Sequence, residues 1–304
     1  MNRIIPIFFF LLLGGCVTVN QHTNTPTQEQ MVREMIIPAP RISNVEQIPD
    51  SMDEMQGVAF GTGTSIVSRP LGDKYETFVV TNAHVVQPMM KAELAKKIQE
   101  AGEDGLPEGF SMKVEETFNP IYVTYYLNHE SWLHDEIQTQ ASVVVYDEVE
   151  DVALLRILAD RAFPTVNIPQ EEVEYQVFET VYSVGAGMGN NPFPTRGNIA
   201  LTSEINIAPD DEPERLMRKI LFTAQVVDGA SGGPTFQYSQ GCQCWEWIAI
   251  NQQIQAKPVP VQSNVVALPP MGVFISIYHM HWGIPVSEIR KVLEDTDFEG
   301  LLDK

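Results

Sequence analysis

Ser231 stands in the run Asp228-Gly229-Ala230-Ser231-Gly232-Gly233-Pro234, a hydroxyl between residues that let the backbone turn sharply and come close to a ligand. Nucleophilic catalysis by a hydroxyl needs a base to take its proton, a carboxylate to orient that base, and backbone donors for the oxyanion. His84 ends the apolar run Val79-Val80-Thr81-Asn82-Ala83 and is the candidate base. Asp151, just before Val152-Ala153-Leu154-Leu155, is the candidate carboxylate. The conformational freedom of Gly229 would aim its own N–H and that of Ser231 at one point, which makes these two the candidate oxyanion donors. Each feature alone is ordinary. A histidine near a strand end is more often structural, an aspartate before an apolar run more often a turn residue, and a glycine-rich segment more often a plain turn. Their joint appearance in the order His, Asp, Ser carries the reading, because that is one of the chain orders in which such a triad is built.

These side chains need rigid supports, and the sequence offers strands. Short β-branched runs separated by turn residues occur at 58–67, 75–81, 121–126, 141–146, 152–157, 177–184, 198–207, 220–226, 245–250 and 273–278. Strands at this density predict a closed barrel or a sandwich. Residues 89–101 read as a helix within a surface insertion, and 102–109 as a loop. Residues 285–293 read as a second helix with Ile289, Val292 and Leu293 on one face, which caps the domain. No internal repeat and no second folded domain are evident.

The chain has 304 residues, 44% of them hydrophobic, enough for a sizeable core. A formal charge of −21 repels phosphate backbones and disfavours nucleic-acid binding. The same acidity serves solubility, which is the plainer cause. At the N-terminus, Arg3 precedes an apolar run at 4–13 that is too short to span a bilayer. It reads as a signal peptide, residues 1–15. The run ends in Leu13-Gly14-Gly15-Cys16, similar to the lipobox of bacterial lipoproteins, in which the cysteine becomes the lipidated first residue. Residues 16–50, rich in Thr, Gln, Asn and Pro, then read as a flexible tether. With Cys16 assigned to lipid, only Cys242 and Cys244 remain, so no disulfide framework holds the fold. The pair could form a local bridge, stay as thiols, or bind metal with His279 and His281, which repeat the spacing; packing is the preferred role for the histidines, and no metal is assigned.

Around His84, Asp151 and Ser231 the chain resembles the trypsin-like serine peptidases, most closely the HtrA/Deg branch. The resemblance runs through Thr81-Asn82-Ala83-His84-Val85, Asp151-Val152-Ala153-Leu154-Leu155 and Gly229-Ala230-Ser231-Gly232-Gly233-Pro234. Gly61-Thr62-Gly63-Thr64-Ser65-Ile66 is similar to the first barrel strand of that family, and Arg196-Gly197-Asn198-Ile199 to a further segment of it. Gly283-Ile284-Pro285-Val286 is similar to the entry to its last helix. The resemblance implies an all-β fold of two six-stranded antiparallel β-barrels, with a C-terminal helix and the helical insertion. The domain would fill 51–295, divided into barrels at about 51–160 and 161–295, and 296–304 would form an acidic tail. It implies a catalytic triad of His84, Asp151 and Ser231, an oxyanion hole from Gly229 and Ser231, no cofactor, and protein or peptide substrates. It also implies a primary pocket floored by Gln225, six positions before the nucleophile, and walled by Ile248, Ala249, Ile250 and Asn251. A neutral floor cannot offset the desolvation of a buried Arg or Lys, so small or medium uncharged residues are expected before the scissile bond.

The departures from the pattern are informative. Ala230 replaces the usual Asn or Asp, so no buried salt bridge to a new N-terminus can activate the chain. Asp228 stands near the oxyanion hole where the branch has Pro, and a carboxylate there would raise the barrier unless it points to solvent. The stretch 89–140 is longer than a simple connection, and no PDZ-sized segment follows residue 295. Three functions compete: a lipid-anchored endopeptidase, at the outer membrane given Val17 after Cys16; a catalytically inactive peptide-binding lipoprotein; and an esterase. The last is disfavoured by the triad order and the absence of a G-x-S-x-G elbow.

Overall fold

The computed structural model describes residues 26–46, 57–86, 120–127, 136–170, 173–207, 214–254 and 280–303. The leader, Cys16, the expected helix at 89–101, the loop at 102–109, the run at 273–278 and His279 lie outside them.

Seven antiparallel strands form the first sheet: β1 Arg41–Glu46, β2 Gly57–Thr62, β3 Thr64–Leu71, β4 Lys74–Thr81, β5 Ile121–Tyr126, β6 Glu136–Asp147 and β7 Val152–Ala159. Their order is β2-β1-β5-β6-β7-β4-β3. The two edges, β2 and β3, are consecutive in the chain and separated only by Gly63, so the sheet returns on itself. The expected six-stranded barrel is thus built with one long strand broken at Gly63, where a Cβ would lie 2.4 Å from Val79 Cγ1. The second unit is a closed barrel of β8 Thr180–Gly185, β9 Phe193–Asn206, β10 Leu216–Phe222, β11 Pro234–Ser239, β12 Cys244–Ile254 and β13 His281–Pro285, in the order β10-β13-β12-β11-β8-β9. Strand alternation divides the apolar residues among three cores. Val79, Val123, Tyr125, Leu155 and Ile157 fill the first barrel. Val181, Ile199, Ile220, Phe222 and Ile248 fill the second. Phe78, Val80 and Leu154, on the outer faces of the first barrel's strands, meet Trp247, Ile250 and Ile284 in a core that joins the two.

Two segments placed outside the expected domain of 51–295 are packed. Residues 26–46 are not tether: Thr27 caps the short helix α1 Gln28–Met31, a π-turn follows at Val32–Ile36, and β1 pairs with both β2 and β5. Met35 and Ile42 are fully buried, each worth about 1.5–3 kcal/mol. The segment looked loose because its polar residues are also inside, Ser43 and Asn44 among them. The tail is packed as well. The helix α2 Val286–Leu293 follows β13 directly and buries Ile289 and Leu293; beyond it Leu302 is buried and Phe298 meets Phe78 edge-on at 5.5 Å.

Candidate active site

His84 lies in a 3₁₀ turn, Ala83–Val86, that leaves β4. Ala83, Val85 and Val86 are buried, which turns the imidazole outward, with 43% of its side chain exposed. The β4–β7 register sets Thr81 opposite Ala153, so the end of one strand and the start of the other bring His84 beside Asp151. Asp151 has φ +59°, a left-handed conformation that aspartate tolerates. Its carboxylate receives the His84 backbone N–H at 3.0 Å and faces Nδ1 with both oxygens, at 2.9 and 3.0 Å. Asn82 Nδ2 donates to the Asp151 carbonyl at 3.0 Å. A carboxylate at Nδ1 favours the tautomer protonated there and leaves Nε2 free to accept a proton.

Ser231 belongs to the loop between β10 and β11, and the first barrel clasps that loop. Thr62 N–H donates to the Ser231 carbonyl at 2.8 Å, Thr62 Oγ1 to the Gly229 carbonyl at 2.8 Å, and Thr64 Oγ1 to the Gly232 carbonyl at 3.1 Å. Thr62 Oγ1 also accepts from Ala186 N–H at 2.7 Å. The approach at Gly232 demands glycine: φ is +80°, and a Cβ would sit 2.3 Å from the Thr62 carbonyl. Gly229 has φ +90°. Among the described residues neither Gly229 nor Ser231 commits its N–H to an acceptor, so both can serve an oxyanion. Asp228 is exposed, and its carbonyl holds Met188 N–H at 2.5 Å.

The nucleophile itself is turned aside. Ser231 Oγ donates to the Gln252 carbonyl at 3.3 Å, and among the described residues no hydrogen bond joins it to His84. The Gln252 amide in turn donates from Nε2 to Asp151 Oδ2 at 3.1 Å and accepts at Oε1 from Lys219 Nζ at 2.5 Å. Lys219 is 1% exposed. Burial pushes its ammonium down to about 8, against the opposing pull of Asp151, Glu150 and Glu288. Burial likewise raises Glu150, although Arg215 pairs with it.

The residues assigned to the primary pocket divide. Gln225 is exposed, its carbonyl accepting from Thr195 Oγ1 at 2.6 Å. Ile248, Ala249, Ile250 and Asn251 are at most 1% exposed, so their side chains do not form a substrate-facing wall. The first three fill cores. Asn251 spends its amide on the Val184 and Ala230 carbonyls and its oxygen on Ser183 and Thr235, and so braces the nucleophile loop from behind. Cys242 and Cys244 form a disulfide. His281 pairs with Ile254 at the far end of β12 from Cys244, so it does not join the two cysteines. Sequence reasoning missed Thr62, Gln252 and Lys219. For Lys219 a faint signal existed: in Leu216-Met217-Arg218-Lys219-Ile220-Leu221-Phe222 it shares the face of Met217 and Leu221, where a charge needs a partner.

The family model of the trypsin-like peptidase domain matches residues 61–244, from the strand that carries Thr62 through the Ser231 loop. No curated protein matches the chain. A match over more than half of the chain, on a two-barrel fold with His84 and Asp151 in contact beside the Ser231 loop, shows that the chain belongs to the trypsin-like peptidase family, whose substrates are proteins or peptides.

Proposed function

We propose that the chain is a lipid-anchored serine endopeptidase of the HtrA-like branch, with His84, Asp151 and Ser231 as its triad. The observation that carries this reading is the His84–Asp151 pair at 2.9 Å beside a nucleophile loop whose Gly229 and Ser231 N–H groups meet no acceptor among the described residues. Ser231 Oγ leaves the Gln252 carbonyl, gives its proton to His84 Nε2 and attacks the substrate carbonyl. Asp151 holds the imidazole tautomer and stabilises the imidazolium, and the two N–H groups receive the oxyanion. His84 then protonates the leaving amine. Apo sites often show such bonds long or misaligned, tightening only with substrate.

A catalytically inactive peptide-binding lipoprotein is the second reading, and the Ser231–Gln252 bond favours it. Fluorophosphonate labelling separates the two. Soluble protein starting at Val17 should be labelled and should turn over casein, with Ser231→Ala silent in both assays; an unlabelled wild type would leave the inactive reading standing. Primary specificity follows from Gln225, a neutral amide where a basic preference needs a carboxylate: cleavage should follow Val, Ala, Leu or Thr, and dominant cleavage after Arg or Lys in a peptide library would overturn that assignment. Anchoring rests on Leu13-Gly14-Gly15-Cys16, and labelled palmitate should enter the wild type but not Cys16→Ser. Val17 after the cysteine supports the outer membrane as destination.

A further inference from the structure

Lys219 has a place in this site that ordinary packing does not explain. It sits opposite Ser203 of β9, and strand alternation turns it to the Met217 face, toward the first barrel, while Ile220 and Phe222 fill the second. Its ammonium meets Gln252 Oε1 at 2.5 Å, and Gln252 Nε2 meets Asp151 Oδ2 at 3.1 Å. That order cannot be reversed without loss. A flipped amide would set its NH2 against an ammonium and its oxygen against a carboxylate, two repulsive contacts in place of two attractive ones. The buried charge therefore fixes which end of Gln252 faces Asp151.

We propose that Lys219 is a positioning residue of this peptidase site: acting through Gln252, it holds the carboxylate that orients His84, and loss of its proton releases that hold. The proposal rests on the triad reading above. The groups that face Lys219 are Asp151 and Glu150 from the turn before β7 and Glu288 from α2. Arg215 pairs with Glu150, and Lys291 with Glu288. His281 of β13 lies opposite Phe222, and Glu204 of β9 opposite Arg218, so both belong to the other face of β10. A neutral amine no longer forbids the flipped amide, so above about pH 8 Asp151 loses a guaranteed donor.

The test follows the proton on His84 Nδ1 by one-dimensional NMR, and kcat/KM on a peptide substrate, between about pH 6 and about pH 10. Wild type should show an alkaline step near pH 8 in both readouts. Lys219→Met should abolish the step and lower kcat about tenfold with KM little changed. Lys219→Arg should keep neutral activity within about threefold and carry the plateau past the step, since guanidinium does not titrate there. Gln252→Leu, which leaves the lysine in place, should also abolish the step, and serves if Lys219→Met fails to fold. A step that persists in Lys219→Met or Gln252→Leu, or no step in wild type, overturns the proposal. Fluorophosphonate labelling runs in parallel: an unlabelled wild type defeats the triad reading, whereas the Nδ1 proton still reports whether Lys219 is coupled to Asp151.

Discussion

A backbone φ of +59° makes position 151 selective for conformation as well as charge. Asparagine shares that tolerance, so Asp151→Asn should leave the turn and the circular dichroism unchanged. An amide donor facing Nδ1 would favour the wrong imidazole tautomer, and kcat should fall by about four orders of magnitude. An equal loss at Asp147 or Glu150, with Asp151→Asn near wild type, would assign the role to that carboxylate instead; Glu150 already pairs with Arg215. Lys219 sets a second expectation at this scale, on stability. Its folded pKa is lowered from 10.5 to about 8. Below both values each state holds the proton and the cost of burying the charge is fully present. Between them the unfolded chain binds one proton more, so stability rises with pH, by about 3 kcal/mol across the window. Urea unfolding at pH 7 and 10 should show this gain in wild type relative to Lys219→Met, and equal pH responses would refute it. The residues of the proposed triad stood out in the sequence because their types and order are unusual together. Gln252 and Lys219 were not, because what they touch is decided by register between distant strands.

Between elements, the clasp of the first barrel on the Ser231 loop turns on Thr62. Its hydroxyl serves the Gly229 carbonyl and the Ala186 N–H at once, fully buried. Thr62→Val keeps the shape and strands both partners, at about 1–3 kcal/mol for each buried group left unpaired. Thermal unfolding should fall accordingly, and kcat should drop with KM less affected, because Gly229 carries one of the proposed oxyanion donors. A variant as stable and active as wild type would show that the loop holds its shape unaided. Alternation and turn residues revealed most strands in the sequence, but not β1, β11 or β13. Strand patterns are read from apolar periodicity, and β1 buries polar residues on both faces, Asn44 on the side of Ile42 and Ser43 on the other, so its pairing with β2 and β5 left little trace.

For the whole molecule, strand density alone gave a closed barrel or a sandwich, and the two-barrel plan was legible only through the family resemblance that the motifs around His84, Asp151 and Ser231 carry. The domain limits were not, since they depend on which polar segments find a partner. Deleting residues 26–46 should therefore be as damaging as removing a core strand, leaving insoluble or molten protein with no cooperative transition, whereas a chain beginning at Val17 should melt like the full domain. Cooperative melting of the deletion variant would mean that β1 is dispensable. The packed segment also sets a working height. With Cys16 as the proposed anchor, ten residue steps separate it from Pro26, where the described packed segment begins. Ten Cα steps span at most roughly 35 Å. Such an enzyme could roll on the membrane but not range from it, and would meet chains that emerge from the bilayer or press against it sooner than those diffusing freely beyond.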